Sequence, residues 1–197
     1  QCIEPQGELL YNRIAPLTQL SSLDSPLLDL LNVKYLISTQ PIEHADFTLV
    51  YDREVRVYRH EDVLPRAFVT YKARVFSDRA ALLEALPRLN PAEEVLLEQT
   101  SSRLLTGDDT PEAAPVTITQ YRANEVTIEA ELPQAGYLVL ADTHFAGWKA
   151  YDSLAGAEEQ EIPIYRANGT FRAVMLGPGR HTVRFKYTPL SLKLGLF

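Results

Sequence analysis

Residues able to do chemistry concentrate in one stretch, Gly136–Tyr151, which reads GYLVLADTHFAGWKAY. An apolar run passes into Asp142-Thr143-His144 and then into Gly147-Trp148-Lys149, and Trp148 is the only Trp in the chain. Asp142 and His144 stand two apart, so on a regular strand their side chains share a face. That spacing suits a base with its orienting carboxylate, or two ligands of a metal ion. No third ligand stands at a recognisable spacing: His44, His60 and His181 are isolated, and Cys2 is the single cysteine. The competing role is a hydrogen-bonded corner, because Asp at a strand end readily bonds turn backbone. Trp148, with Asp142, His144 and Lys149 beside it, could stack on a sugar ring while the polar groups hold its hydroxyls. Its alternative is a core indole that plugs one end of a sandwich, with Gly147 giving it room.

Arg166 and Arg172 flank Asn168-Gly169 and could face an anionic ligand; ordinary surface charge is the other reading. The pairs Glu93-Glu94 and Asp108-Asp109 are adjacent residues that point apart on an extended chain, so neither makes a carboxylate site by itself. Asn168-Gly169-Thr170 fits the glycosylation acceptor pattern, but a hairpin turn accounts for Asn-Gly fully. The chain has no phosphate-cradling Gly loop, no Gly-x-Ser-x-Gly and no His-Glu-x-x-His. The residues therefore assign no catalytic group, no metal and no cofactor. They leave Trp148, Asp142, His144, Lys149, Arg166 and Arg172 as candidate ligand-binding residues.

The elements that must position these groups read as a mixed fold, a small α+β unit followed by an antiparallel, jelly-roll-like β-sandwich. Residues 1–25 form an irregular lead-in. The α+β unit spans 26–99. Asp24-Ser25-Pro26 starts a short helix whose leucines cover a core, and Asn32 ends it. Strands are predicted over 33–38, 47–51, 55–59 and, as one long strand, 67–76. A helix over 79–86, capped by Ser77-Asp78, and a strand over 95–98 complete a βαβ step with parallel strands. Residues 100–115 (TSSRLLTGDDTPEAAP) read as a linker. The sandwich spans 116–188. Val116 and Ile118 share one face of its first strand, and Val126, Ile128, Ala130 and Leu132 share the inner face of the second. Residues 137–141, 148–151, 162–167, 170–176 and 181–187 supply the other strands, and Val183, Phe185 and Tyr187 share a face.

The 197 residues carry a net charge of −7 and no basic face, which sets nucleic acid aside as a partner. One cysteine makes no internal disulfide. The chain begins without Met or a signal peptide and turns apolar at its end, PLSLKLGLF over 189–197. That end reads either as a final strand or docked tail, or as the start of a membrane helix cut short.

Several phrases carry a resemblance when taken together. They are LLDLLNVKYLIS at Leu27–Ser38, LPRAFV at Leu64–Val69, the Gly136–Tyr151 stretch, IPIYRANGTFRAV at Ile162–Val174 and GPGRHTVRFKYTPLSLKLG at Gly177–Gly195. In this order they resemble the C-terminal extracytoplasmic part of the bacterial YfhO family of polytopic membrane proteins. The Asp152–Glu161 loop departs from that family's short Asp-Gly turn. The resemblance implies membrane glycosyltransferase-like relatives that draw on lipid-linked sugars and decorate cell-envelope polymers. Their catalytic acid lies among membrane helices that this chain lacks. It further implies that residues 189–197 lead into a membrane helix, and that the domain sits at the extracytoplasmic face as part of a multi-pass protein. The expected function is a non-catalytic accessory domain that positions or binds an envelope glycan, or packs over the membrane active site. Its expected partners are the membrane-spanning part of the same polypeptide and a glycan or lipid-linked sugar. The alternatives are a purely structural or protein-interaction domain, and a glycoside-acting hydrolase using Asp142 and His144.

Overall fold

Alternating apolar residues and strong turn formers become strands over nearly half of what the computed structural model describes, residues 19–61, 63–98 and 114–189. Two units divide between Val63 and Leu64. In the first, a 3-10 turn (Leu20–Asp24) and a short helix, α1 (Pro26–Leu30), precede strands β1 (Tyr35–Ser38), β2 (Phe47–Asp52) and β3 (Arg56–His60). The Ser25 side chain accepts the Leu27 N–H and Pro26 opens the helix, as the sequence predicts. Asn32 stops it at φ 57°. The three strands pair antiparallel in the order β1-β3-β2. Leu23, Leu28, Phe47 and Tyr58 form the small core of this unit. His60, isolated in sequence, stacks on Phe47 and lies between Asp29 and the Val33 carbonyl.

The second unit holds eleven of the strands: β4 (Ala67–Thr70), β5 (Lys72–Val75), β6 (Glu94–Leu97), β7 (Val116–Arg122), β8 (Glu125–Leu132), β9 (Gly136–Leu140), β10 (Trp148–Leu154), β11 (Gln160–Ile162), β12 (Tyr165–Ala167), β13 (Phe171–Leu176) and β14 (Gly179–Tyr187). It also holds helix α2 (Arg79–Ala85), capped by Asp78. An antiparallel sheet, β11-β10-β14-β8-β7, faces a second sheet in the order β4-β9-β13-β12-β6-β5. The predicted inward residues of β8, with Val183 and Phe185 of β14, meet Leu138, Leu140, Val174 and Leu176 of the other layer in one buried core. Burying this apolar area is the main stabilising term of such a sandwich.

Three features differ from the sequence reading. First, residues 64–98 do not belong with the first unit, as the span 26–99 proposed. Strands β4, β5 and β6 hydrogen-bond into the sheet of β9, β13 and β12. Hydrophobic alternation records that a strand is half-buried but not which strand it pairs with. Secondly, the single strand expected over 67–76 breaks at Tyr71. Its halves pair at opposite ends of the strand order, β4 with β9 and β5 in parallel with β6. Only one residue separates them, a reach of under about 8 Å, so the sheet must curl until its two ends meet. The parallel strand–helix–strand step is present, as β5, α2 and β6. Thirdly, the strand expected over 162–167 is split by Pro163, with β11 in one sheet and β12 in the other. Of the predicted lead-in, linker and apolar tail, residues 1–18, 99–113 and 190–197 lie outside the described residues. Among the described residues no helix is long and apolar enough to cross a membrane.

The Asn168-Gly169 turn forms as predicted, with φ of 50° and 77°. Asn168 is 2% exposed, so the acceptor pattern it begins is closed to modification in the folded protein. Its backbone N–H donates to the Leu96 carbonyl at 2.7 Å and its side-chain oxygen accepts the Leu96 N–H at 2.8 Å. This one residue therefore joins the β12–β13 turn to β6. Asn168→Ala leaves the buried Leu96 N–H without an acceptor and puts at φ 50° a residue that lacks the polar side chain by which Asn tolerates the left-handed region. The expected loss is about 2–4 kcal/mol, read as a lower urea midpoint at unchanged slope.

Candidate functional site

The candidate residues gather at the end of the sandwich where β9 stops and β10 and β13 begin. Leu138 and Leu140 point into the inter-sheet core, and β9 ends there because the Asp142 N–H turns back to the Leu140 carbonyl at 2.7 Å. The Asp142 carboxylate, 12% exposed, accepts from three side chains. Arg172 Nη2 on β13 donates to Oδ2 at 2.9 Å, while Arg66 Nη1, ahead of β4, and the Tyr121 hydroxyl of β7 donate to Oδ1 at 2.9 and 3.1 Å. One carboxylate thus ties strands of both layers.

Tyr121 reaches this point because β7 is irregular. Val116 and Ile118 face inward, so strict alternation would turn Tyr121 outward. The register shifts between Ile118 and Gln120, which places Tyr121 opposite the inward Val126. A bulge of this kind re-aims a side chain by inserting one residue. Burial and the neighbouring Asp142 charge together push the Tyr121 hydroxyl pKa up.

Arg172 shares its side of β13 with Val174 and Leu176 and is 2% exposed. Burial works against its charge and lowers its pKa, and Asp142 opposes that shift. Its guanidinium carbon lies 3.9 Å from the Trp148 ring centroid and 5.4 Å from that of Phe185. A desolvated cation–π contact of this kind is worth about 2 kcal/mol. Arg172 Nε and Nη1 are buried and make no hydrogen bond among the described residues, so the aromatic faces are their surroundings.

Arg166 stands directly opposite Arg172 in the β12–β13 register, hence on the same side of the sheet. Glu98 relieves this like-charge pair. Its carboxylate meets Arg166 Nη1 at 3.3 Å and Arg79 Nη1 at 2.6 Å. Two carboxylates, Asp142 and Glu98, therefore each bridge two arginines.

Asp142 and His144 do not act as a dyad. The chain has left the strand before reaching them, and no hydrogen bond joins their side chains. The His144 N–H donates to the Thr170 carbonyl at 2.7 Å, which fixes the corner to the β12–β13 turn. Its Nδ1 is buried without a hydrogen-bond partner among the described residues. Burial first, then the Arg166 and Arg172 charges, lower the His144 pKa. Among the described residues no group of three His, Cys, Asp or Glu is placed to hold a metal ion.

Trp148 is half-buried, with one face under Arg172 and Tyr187 tilted against it at 5.3 Å. Gly147 makes the corner possible: at φ 100°, a β-carbon there would come within 3.0 Å of the Pro189 backbone. Lys149, the next residue on the strand, points to the opposite, outer face and pairs with Glu161 at 2.8 Å. The structure thus brings Asp142, Trp148 and Arg172 together, places His144 and Arg166 beside them and separates Lys149. Arg66, Tyr121 and Glu98 were not singled out in the sequence, where nothing marks their partners, and Phe185 was read there only as sharing a face with Val183 and Tyr187. At the far end of the sandwich His181 bridges Asp152, at 2.8 Å, and the Gly177 carbonyl, at 3.0 Å, an internal brace between β10 and the turn before β14.

Compared with known protein families, with curated proteins and with solved structures, the chain matches none.

Removing one member of the buried pair strands the other. Asp142→Leu alone is expected to cost about 3–5 kcal/mol, and Asp142→Leu with Arg172→Met markedly less than the sum of the single losses. Urea unfolding of the four proteins checks this; strict additivity would mean the two groups do not depend on each other. His144 gives a pH signature. Between its lowered folded pKa and about pH 6.5 the unfolded chain binds a proton that the folded protein resists, so stability falls as pH drops through that window. The stability advantage of wild type over His144→Gln should therefore shrink between pH 7.5 and pH 5.5, while a constant difference would show an unperturbed ring.

Proposed function

We propose that this chain is a non-catalytic accessory domain carried at the extracytoplasmic face of a bacterial membrane protein. It positions an envelope glycan, or packs over the membrane part of the same polypeptide, through the two-layered sandwich of its second unit. The observation that carries the non-catalytic reading is the triple occupancy of Asp142 by Arg172, Arg66 and Tyr121. A general acid or base needs a free lone pair or proton aimed at a substrate, and this carboxylate spends its oxygens inside the fold. Among the described residues the site also has no nucleophile held against a base. The order of the quoted phrases, which resembles the YfhO family, supports the envelope setting and the membrane partner.

Sugar stacking on Trp148 is weakened as a role, since Arg172 already covers one face of the indole. The large apolar residue that this corner exposes to an external partner is Phe145, 63% exposed. A glycan-positioning contact would therefore run over the corner and not into the Asp142 cluster.

The test separates a bracing role from a chemical one. The purified chain is expected to turn over neither glycosides nor undecaprenyl-linked sugars. In the membrane-bound parent, glycan transfer is expected to fall with Asp142→Leu and to recover in Asp142→Leu/Arg172→Met, which restores packing but no acid group. Turnover by the isolated chain that disappears in a folded Asp142→Asn variant would overturn the proposal.

A further inference from the structure

Beside the Asp142 cluster, the ends of β7, β8 and β14 enclose a groove of about 560 Å³ lined by Arg122, Asn124, Glu125, Lys186, Thr188 and Pro189, among others. Its charges are unevenly used. Glu125 accepts the Gln120 amide at 2.9 Å and lies 3.6 Å from Arg184. Lys149, across the strand from Lys186, is held by Glu161. Arg122 and Lys186 make no close ion pair among the described residues: Glu125 stands opposite both in register but is turned to Gln120 and Arg184, and Lys186 acts on Glu159 only from a distance. The two cations against Glu125 give the lining a formal charge of 2 − 1 = +1. Thr188 adds a third donor. Its backbone N–H is taken by the Gly147 carbonyl at 2.7 Å, but its hydroxyl oxygen is buried and has no hydrogen-bond partner among the described residues. A buried hydroxyl without a partner is uncommon in a native fold and marks a place where a ligand group can be received.

From two cations without a close ion pair and a hydroxyl without a hydrogen-bond partner around one groove, we propose that this end of the sandwich binds a phosphoryl anion. Charge-assisted bonds from Arg and Lys are the strong ones, and a phosphoryl group offers three acceptor oxygens to three donors, where a carboxylate offers two. The groove is several times larger than phosphate itself and leaves room for the molecule that carries it. The site does not rest on the accessory role proposed above, and either can fail without the other.

Amide NMR of the whole chain at low ionic strength tests it, with inorganic pyrophosphate and, separately, vesicles of phosphatidylglycerol in phosphatidylcholine as probes. Saturable shifts confined to residues 122–125 and 186–188 are expected with at least one probe. Arg122→Gln/Lys186→Gln should weaken that binding at least about tenfold, and Thr188→Val by a few-fold, with the circular dichroism unchanged. Response to pyrophosphate alone identifies a soluble phosphorylated ligand, and response to vesicles alone a lipid headgroup. No response to either probe, equal binding by the double variant, or equally tight binding of citrate would overturn the proposal.

Discussion

A guanidinium with 2% of its surface exposed, lying between two β-sheets, has to be neutralised where it stands. Arg172 sits in the inter-sheet layer, in line with Val174 and Leu176, at a position where alternation would otherwise call for another apolar residue. The surrounding structure answers the charge in two ways. Asp142 meets it directly, and the faces of Trp148 and Phe185 lie against it. Taking Asp142 away would leave an unpaired buried charge, which is a larger penalty than any single apolar contact at this end supplies.

Several otherwise unrelated irregularities follow from that pairing. The early end of β9 sets Asp142 at the rim, where it is sheltered yet still reachable by the partly exposed Arg66. The bulge in β7 turns Tyr121 inward to the same carboxylate. The left-handed Gly147 lets the chain double back beneath Pro189 and deliver Trp148 onto Arg172. Each is a local departure from regular strand geometry, and each brings one more group to the charged pair. Such departures usually accompany function. Here they account for a brace that closes one end of the sandwich.

On the outer face of the five-stranded sheet the charges follow the simpler rule of cross-strand pairing. Lys149 meets Glu161, Arg180 meets Glu129, and Arg184 meets Glu159 and Glu125. Exposed pairs of this type contribute little to stability, but they fix register and keep the face solvated. Against this regular pattern Arg122 and Lys186, both opposite Glu125 in register, stand out as cations that no carboxylate meets at close range among the described residues.

Much of this architecture was legible from residue order. The inward set Val126, Ile128, Ala130 and Leu132, the Asn168-Gly169 turn, the Ser25-Pro26 helix start and the parallel strand–helix–strand step depend on neighbours close in the chain, so periodicity and turn chemistry specify them. The sequence also isolated Asp142, Trp148 and Arg172 by type. Their relation was not legible, because 30 residues separate Asp142 from Arg172 and 76 separate it from Arg66. Nor could alternation show that residues 67–76 would divide between two partners, or that a bulge would reverse Tyr121. Local pattern decides which side of a strand is buried. Which strand lies alongside, and therefore which charges neutralise one another, is settled only when the whole unit closes and desolvated groups must find partners among whatever it has brought near.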